Sequence, residues 1–173
     1  MEPDINEALE VISLNVGKTL IGASKRLTEM GIEHVVVGAI SVGAYGAPRS
    51  TTDVDFMVRR KHYVITKNGL VYLNDPVPYS GPGNVRIDYV DTPIPNDIIE
   101  YAFKNSKVSC GIPVAPVEIV VLMKLISPRM KDSGDIEEML KHGLKSGPVR
   151  SFLVSTGIDV VDKFDRIVDR SKE

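Results

Sequence analysis

Between Ile5 and Leu27, apolar residues return every three or four positions: Ile5, Leu9, Ile12, Val16, Leu20, Ala23 and Leu27. That spacing draws a single stripe along a helix, so a helix is expected over 5–31. Asp4 suits its N-cap, Gly31 a left-handed stop, and Gly17 a point where it bends or splits. The pattern then changes. His34-Val35-Val36-Val37 is a nearly unbroken apolar run ending on Gly38, as a central strand requires. Residues 39–46 are small and weakly apolar and predict a short helix. Ala47 to Thr52 is a loop, and residues 53–59 form a second strand in which Val54 and Phe56 alternate with Asp53 and Asp55.

Further along, Tyr63-Val64-Ile65-Thr66 and Leu70-Val71-Tyr72-Leu73 flank Lys67-Asn68-Gly69, a hairpin around an Asn-Gly turn. A Pro- and Gly-rich loop runs from Asp75 to Gly83. Residues 85–90 alternate as a third major strand, with Val85, Ile87 and Tyr89 on one face and Arg86, Asp88 and Val90 on the other. A short helix over 95–104 and a short strand or hairpin over 107–114 follow. Helices are expected over 116–126, 131–142, 148–155 and 159–170, the last with apolar residues that must dock on something. This order defines an α+β protein: a small mixed sheet flanked by helices, with a helical C-terminal half. Residues 1–115 form the core with its N-terminal helix. Residues 116–173 pack on it, within one structural domain.

Composition narrows the function more than the fold. A length of 173 residues suits one domain, and a net charge of −2 supplies no global basic field for nucleic acid. A single cysteine, Cys110, excludes an internal disulfide framework and a Cys-based zinc site. Met1-Glu2-Pro3-Asp4 is acidic and lacks a signal-peptide pattern. No apolar run approaches the roughly 18 residues of a membrane span. The expectation is a cytoplasmic protein with no membrane partner.

The chemistry concentrates between Val36 and Val58. Asp53 and Asp55 point the same way from an apolar strand. Two like charges there repel, and a divalent cation between them relieves that most directly. Gly38, at the strand-to-helix turn, lets backbone N–H groups approach a phosphate. Ser41 offers a hydroxyl one turn on, and Arg49 and Thr51 in the loop are candidate phosphate contacts. Asp88 is placed to add a third carboxylate from a neighbouring strand and is preferred to Asp91, which falls on the opposite face. Lys124, in an apolar helix, either reaches solvent or reaches a polyphosphate. Arg129, Lys131, Asp132 and Asp135 suit an ordinary helix N-terminus with capping charge. His34, His62 and His142 are expected at the surface or its boundary, Cys110 as a small packed residue, and Met123, Met130 and Met139 as core filler.

Val37-Gly38-Ala39, a gap, then Asp53-Val54-Asp55 resembles the signature of the nucleotidyltransferase superfamily that includes DNA polymerase beta. Arg49-Ser50-Thr51-Thr52-Asp53-Val54-Asp55 is similar to the Arg-x-Thr-x-Asp-x-Asp of its minimal, AbiEii-like members. Val117 to Lys124, with Arg129-Met130-Lys131-Asp132-Ser133-Gly134-Asp135, is similar to their Lys-containing helix and Arg-x-Lys-Asp-x-x-Asp element. The likeness covers about 34–140, with nothing matched over 60–83, and Ala39 stands where Gly or Ser is usual. It implies a nucleoside monophosphate moved from an NTP to an acceptor hydroxyl on RNA (a tRNA among them), a protein or a small molecule. Asp53, Asp55 and Asp88 would hold Mg²⁺, with Mn²⁺ as a substitute. Gly38, Ala39, Ser41, Arg49, Thr51, Lys124, Arg129, Asp132 and Asp135 would line the nucleotide. The resemblance also implies a toxin of a toxin–antitoxin pair, with an antitoxin partner or a second copy of the chain. Ala39 and the unmatched 60–83 region motivate the rival expectation, a nucleotide-binding or interaction module without transfer.

Overall fold

The computed structural model describes residues 1–59, 63–66, 69–72, 79–90 and 94–172, with 63–66 and 69–72 as backbone only. His62, the Asn68 side of the hairpin turn, the start of the Pro/Gly loop and Asp91 lie outside these residues.

Where the apolar stripe predicts one N-terminal helix there are two, α1 (Ile5–Leu9) and α2 (Leu14–Glu29). The break comes at Ser13, whose hydroxyl accepts from Val16 N at 3.3 Å and so starts a new helix. Gly17 does not split the segment. It lies inside α2, where a Cβ would sit 3.3 Å from Leu9 Cδ2, so the missing side chain leaves room for Leu9. Asp4 caps α1 through Asn6 N, and Gly31 ends the α2 turn with φ of +67°.

β1 (His34–Val37) is buried along its whole length and leads into α3 (Gly38–Ala44) and then β2 (Asp53–Val58). The hairpin is present as β3 (Tyr63–Thr66) and β4 (Gly69–Tyr72), a separate two-stranded sheet. β5 (Arg86–Tyr89), α4 (Asn96–Lys104), β6 (Lys107–Ser109) and β7 (Ile112–Val114) follow. The main sheet has five strands in the order β5-β2-β1-β7-β6, with β2 antiparallel to β1, β5 parallel to β2, β7 parallel to β1, and β6 antiparallel to β7. The C-terminal half is α5 (Val117–Ile126), α6 (Met130–Lys141), α7 (Ser146–Thr156) and α8 (Val161–Arg170). The architecture is the expected α+β one, a mixed sheet flanked by helices. No helix among the described residues is long and apolar enough to cross a membrane.

One apolar core joins the halves, from Ile5 and Leu20 through Val35 and Phe56 to Ile119, Met139, Leu153 and Phe164. The last helix docks on this core, with Phe164 and Ile167 buried, and Lys163 donates to Leu125 O at 2.7 Å, capping α5. Tyr45, fully buried, donates its hydroxyl to Ala115 O at 2.8 Å and so links the end of α3 to the start of the helical half.

Three sequence expectations fail on burial. His34 is a core residue: its Nδ1–H donates to Ile32 O at 3.0 Å, so Nε2 accepts from Ser24 Oγ at 2.8 Å. Burial lowers its pKa, in keeping with that neutral tautomer. Met130 is 92% exposed at the first position of α6, where helical spacing alone could not tell the inward face from the outward. Cys110 is exposed at the tip of the β6–β7 hairpin with φ of +50°, since a two-residue turn needs left-handed residues.

Tyr45→Phe tests the link between the halves. It leaves the Ala115 carbonyl without its donor in a buried site, and a loss of about 1–2 kcal/mol is expected in denaturant unfolding.

Candidate functional site

β2 carries the alternation into three dimensions. Val54 and Phe56 are buried beneath the sheet, while Asp53 and Asp55 are half-buried on the opposite face. β5 lies parallel to β2 in a register that sets Asp55 opposite Asp88, and Asp53 opposite Arg86. Phe56 and Tyr89, the next pair, stack at 6.4 Å and hold that register from the apolar side. One carboxylate oxygen from each of Asp53, Asp55 and Asp88 falls within 4.8 Å of the others, the only such acidic or metal-ligating group among the described residues.

Gly38 is required here for a reason different from phosphate approach alone. Its φ is +70°, and a Cβ on it would lie 2.0 Å from Asp55 Oδ2 and 2.9 Å from Asp55 Cβ. A side chain at 38 would therefore expel Asp55 from the cluster. Asp53 is oriented by its own loop, since Thr51 Oγ1 donates to Asp53 Oδ1 at 2.6 Å.

Burial, then the charges of Asp53 and Asp88, push the Asp55 carboxyl up to about 6, and the positive charges of Lys124 and Arg129 pull against that rise. The source of that counter-field is an ion network. Lys124 is buried in α5, with Nζ 2.7 Å from Asp132 Oδ1 and 2.7 Å from Asp135 Oδ2. Arg49 donates to both oxygens of Asp135, at 2.7 Å from Nε and 3.0 Å from Nη2. Arg129 donates from Nε to Asp132 Oδ2 at 2.9 Å. Burial alone would raise Asp132, yet bonds from Lys124 and Arg129 hold it down at about 2. Asp135 is likewise lowered by Arg49 and Lys124 against the effect of burial.

Each of the expected nucleotide-lining residues has a defined place in this arrangement. Lys124 does not reach solvent, because two carboxylates from α6 enclose it. Arg49 is committed to Asp135, and its loop is thereby pinned to α6. Asp132 and Asp135 are buried partners of these cations rather than exposed capping charges. Arg129 alone of the three cations keeps a mostly exposed guanidinium. Ser41 is fully buried and donates back to Gly38 O at 2.8 Å, so its hydroxyl faces the helix itself. Ala39 is also buried, next to Gly38 at the start of α3. A cleft of about 590 Å³ opens behind the network, with Pro48, Arg49, Lys131, Asp135 and His142 in its walls. The carboxylate cluster lies apart from it.

Arg86 was not among the expected site residues. It shares a strand face with Asp88, and that alternation was visible in the sequence. No family model matches the chain, and none of the curated proteins matches it.

Two outcomes follow from the electrostatics. Lys124→Met strips Asp132 and Asp135 of their shared cation, and a loss of about 3–5 kcal/mol is expected in chemical unfolding. Asp55 is raised in the fold above its ordinary 3.8, so its contribution to stability is greatest below that value and falls as pH rises toward 6. Asp55→Asn is therefore expected to stabilise the metal-free protein by roughly 1–3 kcal/mol near neutrality. The gain in melting temperature should shrink as pH falls through 6 toward 4. Asp132 acts with the opposite sign, its contribution being present above its ordinary 3.8 and lost toward 2, so the comparison belongs above pH 4.

Proposed function

We propose that the protein is a divalent-metal-dependent nucleotidyltransferase, moving a nucleoside monophosphate from an NTP to an acceptor hydroxyl. The observation that carries this reading is the convergence of Asp53, Asp55 and Asp88 beside Gly38, at the turn where β1 enters α3. Three carboxylate oxygens converging on one point fit a hard, oxygen-liking cation such as Mg²⁺, with Mn²⁺ as a substitute. When bound, such an ion supplies charge neutralisation for the polyphosphate and the departing pyrophosphate.

The chain's own residues supply position and proton acceptance. Gly38 leaves room for Asp55, and Thr51 holds Asp53 Oδ1. A carboxylate oxygen of Asp88 accepts the proton of the attacking hydroxyl. Arg129, exposed and close enough to act on Asp55, is the cation of the C-terminal half that meets phosphate. Lys124 and Arg49 contribute at one remove: they hold the loop and set the potential behind the carboxylates. The acceptor is RNA such as a tRNA, a protein hydroxyl or a small molecule. The likeness of Arg49 to Asp55 to the minimal nucleotidyltransferases supports a toxin role with an antitoxin partner in the cytoplasm.

One observation favours a second reading, a nucleotide-binding module without transfer: Lys124 and Arg49, both expected on phosphate, are spent on internal carboxylates. Labelled NTPs with Mg²⁺ or Mn²⁺ and candidate acceptors separate the two. The expected result is metal-dependent label transfer that drops at least about a thousandfold in Asp53→Ala and Asp55→Ala. Full transfer by both variants would sink the mechanism, and nucleotide binding without transfer to RNA, protein or small acceptors would favour the module.

A further inference from the structure

Arg86 faces Asp53 across the β2–β5 pairing and precedes Asp88 by two residues on the same strand face. Its Nη2 lies 2.5 Å from Asp88 Oδ2 and 3.4 Å from Asp53 Oδ2. One nitrogen therefore bridges two of the three clustered carboxylates. Asp55, the deepest of the three, receives no bond from it. The Arg86 side chain is otherwise open, 71% exposed, so it can rotate away without disturbing the core. A guanidinium seated between Asp53 and Asp88 opposes a divalent ion among the same carboxylates, because two cations repel at that distance.

We propose that Arg86 is the resident counter-cation of this site: its guanidinium occupies the space between Asp53 and Asp88 and swings out when a divalent ion enters. The inference rests on the metal-binding reading above and adds a regulatory element to it. Arg86 holds Asp53 and Asp88 together in the metal-free protein, and metal affinity is set by competition rather than by the carboxylates alone. Removing the guanidinium therefore tightens metal binding, the reverse of what removing a ligand does. The pair is exposed and screened, so the effect is modest.

The test is Mn²⁺ titration followed by electron paramagnetic resonance, without nucleotide and at physiological ionic strength. The proteins are wild type, Arg86→Gln, Arg86→Met, Arg129→Gln and Asp53→Asn. Both Arg86 variants are expected to bind Mn²⁺ about three- to tenfold more tightly than wild type. Two Arg86 substitutions are used so that a folding defect in one does not hide the result. Arg129→Gln loses the same charge without a bond to the cluster and should gain distinctly less. Arg86 variants that bind no more tightly than wild type, or a gain matched by Arg129→Gln, would overturn the role of Arg86. In that case wild-type binding that is lost in Asp53→Asn leaves the metal reading standing. Absence of saturable Mn²⁺ binding in every protein would overturn both together.

Discussion

Three carboxylates share one face of a small sheet, and their mutual repulsion is the constraint around which much of the molecule is built. Asp55 carries most of it, because it is the most enclosed and faces Asp88 directly across the strand pair. Nothing in an apolar strand invites such an arrangement. It persists because Phe56 and Tyr89 stack on the other face, because Gly38 yields the space that a Cβ would take, and because positive charge is held close by. Each of these comes from a different element, so the cluster is a property of the packed sheet and not of any strand in it.

The positive charge is organised in two layers. At the surface, Arg86 touches Asp53 and Asp88 directly. Behind, Lys124 is held between Asp132 and Asp135, with Arg49 and Arg129 closing the ends. Lys124 is enclosed by two carboxylates, and its positive charge also acts on Asp55. The same network fastens the loop carrying Thr51 to the C-terminal helices through Arg49 and Asp135. The helical half is thus more than a cover for the sheet, since it positions one edge of the cluster and sets its potential.

Most of the frame was legible in the chain. The period-two alternation of β2 and β5 was enough to put Asp53 with Asp55 and to bring Asp88 to the same cluster, because strand geometry leaves little choice of face. The short helix after Gly38, the Asn-Gly hairpin and the four C-terminal helices were equally readable. The failures share a cause. Ser13 ends one helix and starts another through a single side-chain bond that no apolar period records. His34, Met130 and Cys110 were misplaced because burial depends on what packs against a position. The internal pairing of Lys124 and Arg49 was not foreseen because their carboxylate partners lie far away in sequence or on another helix.

The sequence by itself determined most of the secondary elements, the α+β class and the identity of the clustered acids, since these follow from spacing along one chain. Only the tertiary structure decided which cations meet which carboxylates. A lysine on α5, an arginine in the loop before β2 and two acids on α6 become one network because the helices cross there. Likewise Arg86 becomes part of the cluster because β5 pairs parallel to β2 in one register, and a shift of one residue would turn it to the opposite face. Charge pairing is set by distance in space, and along the sequence that distance is not written.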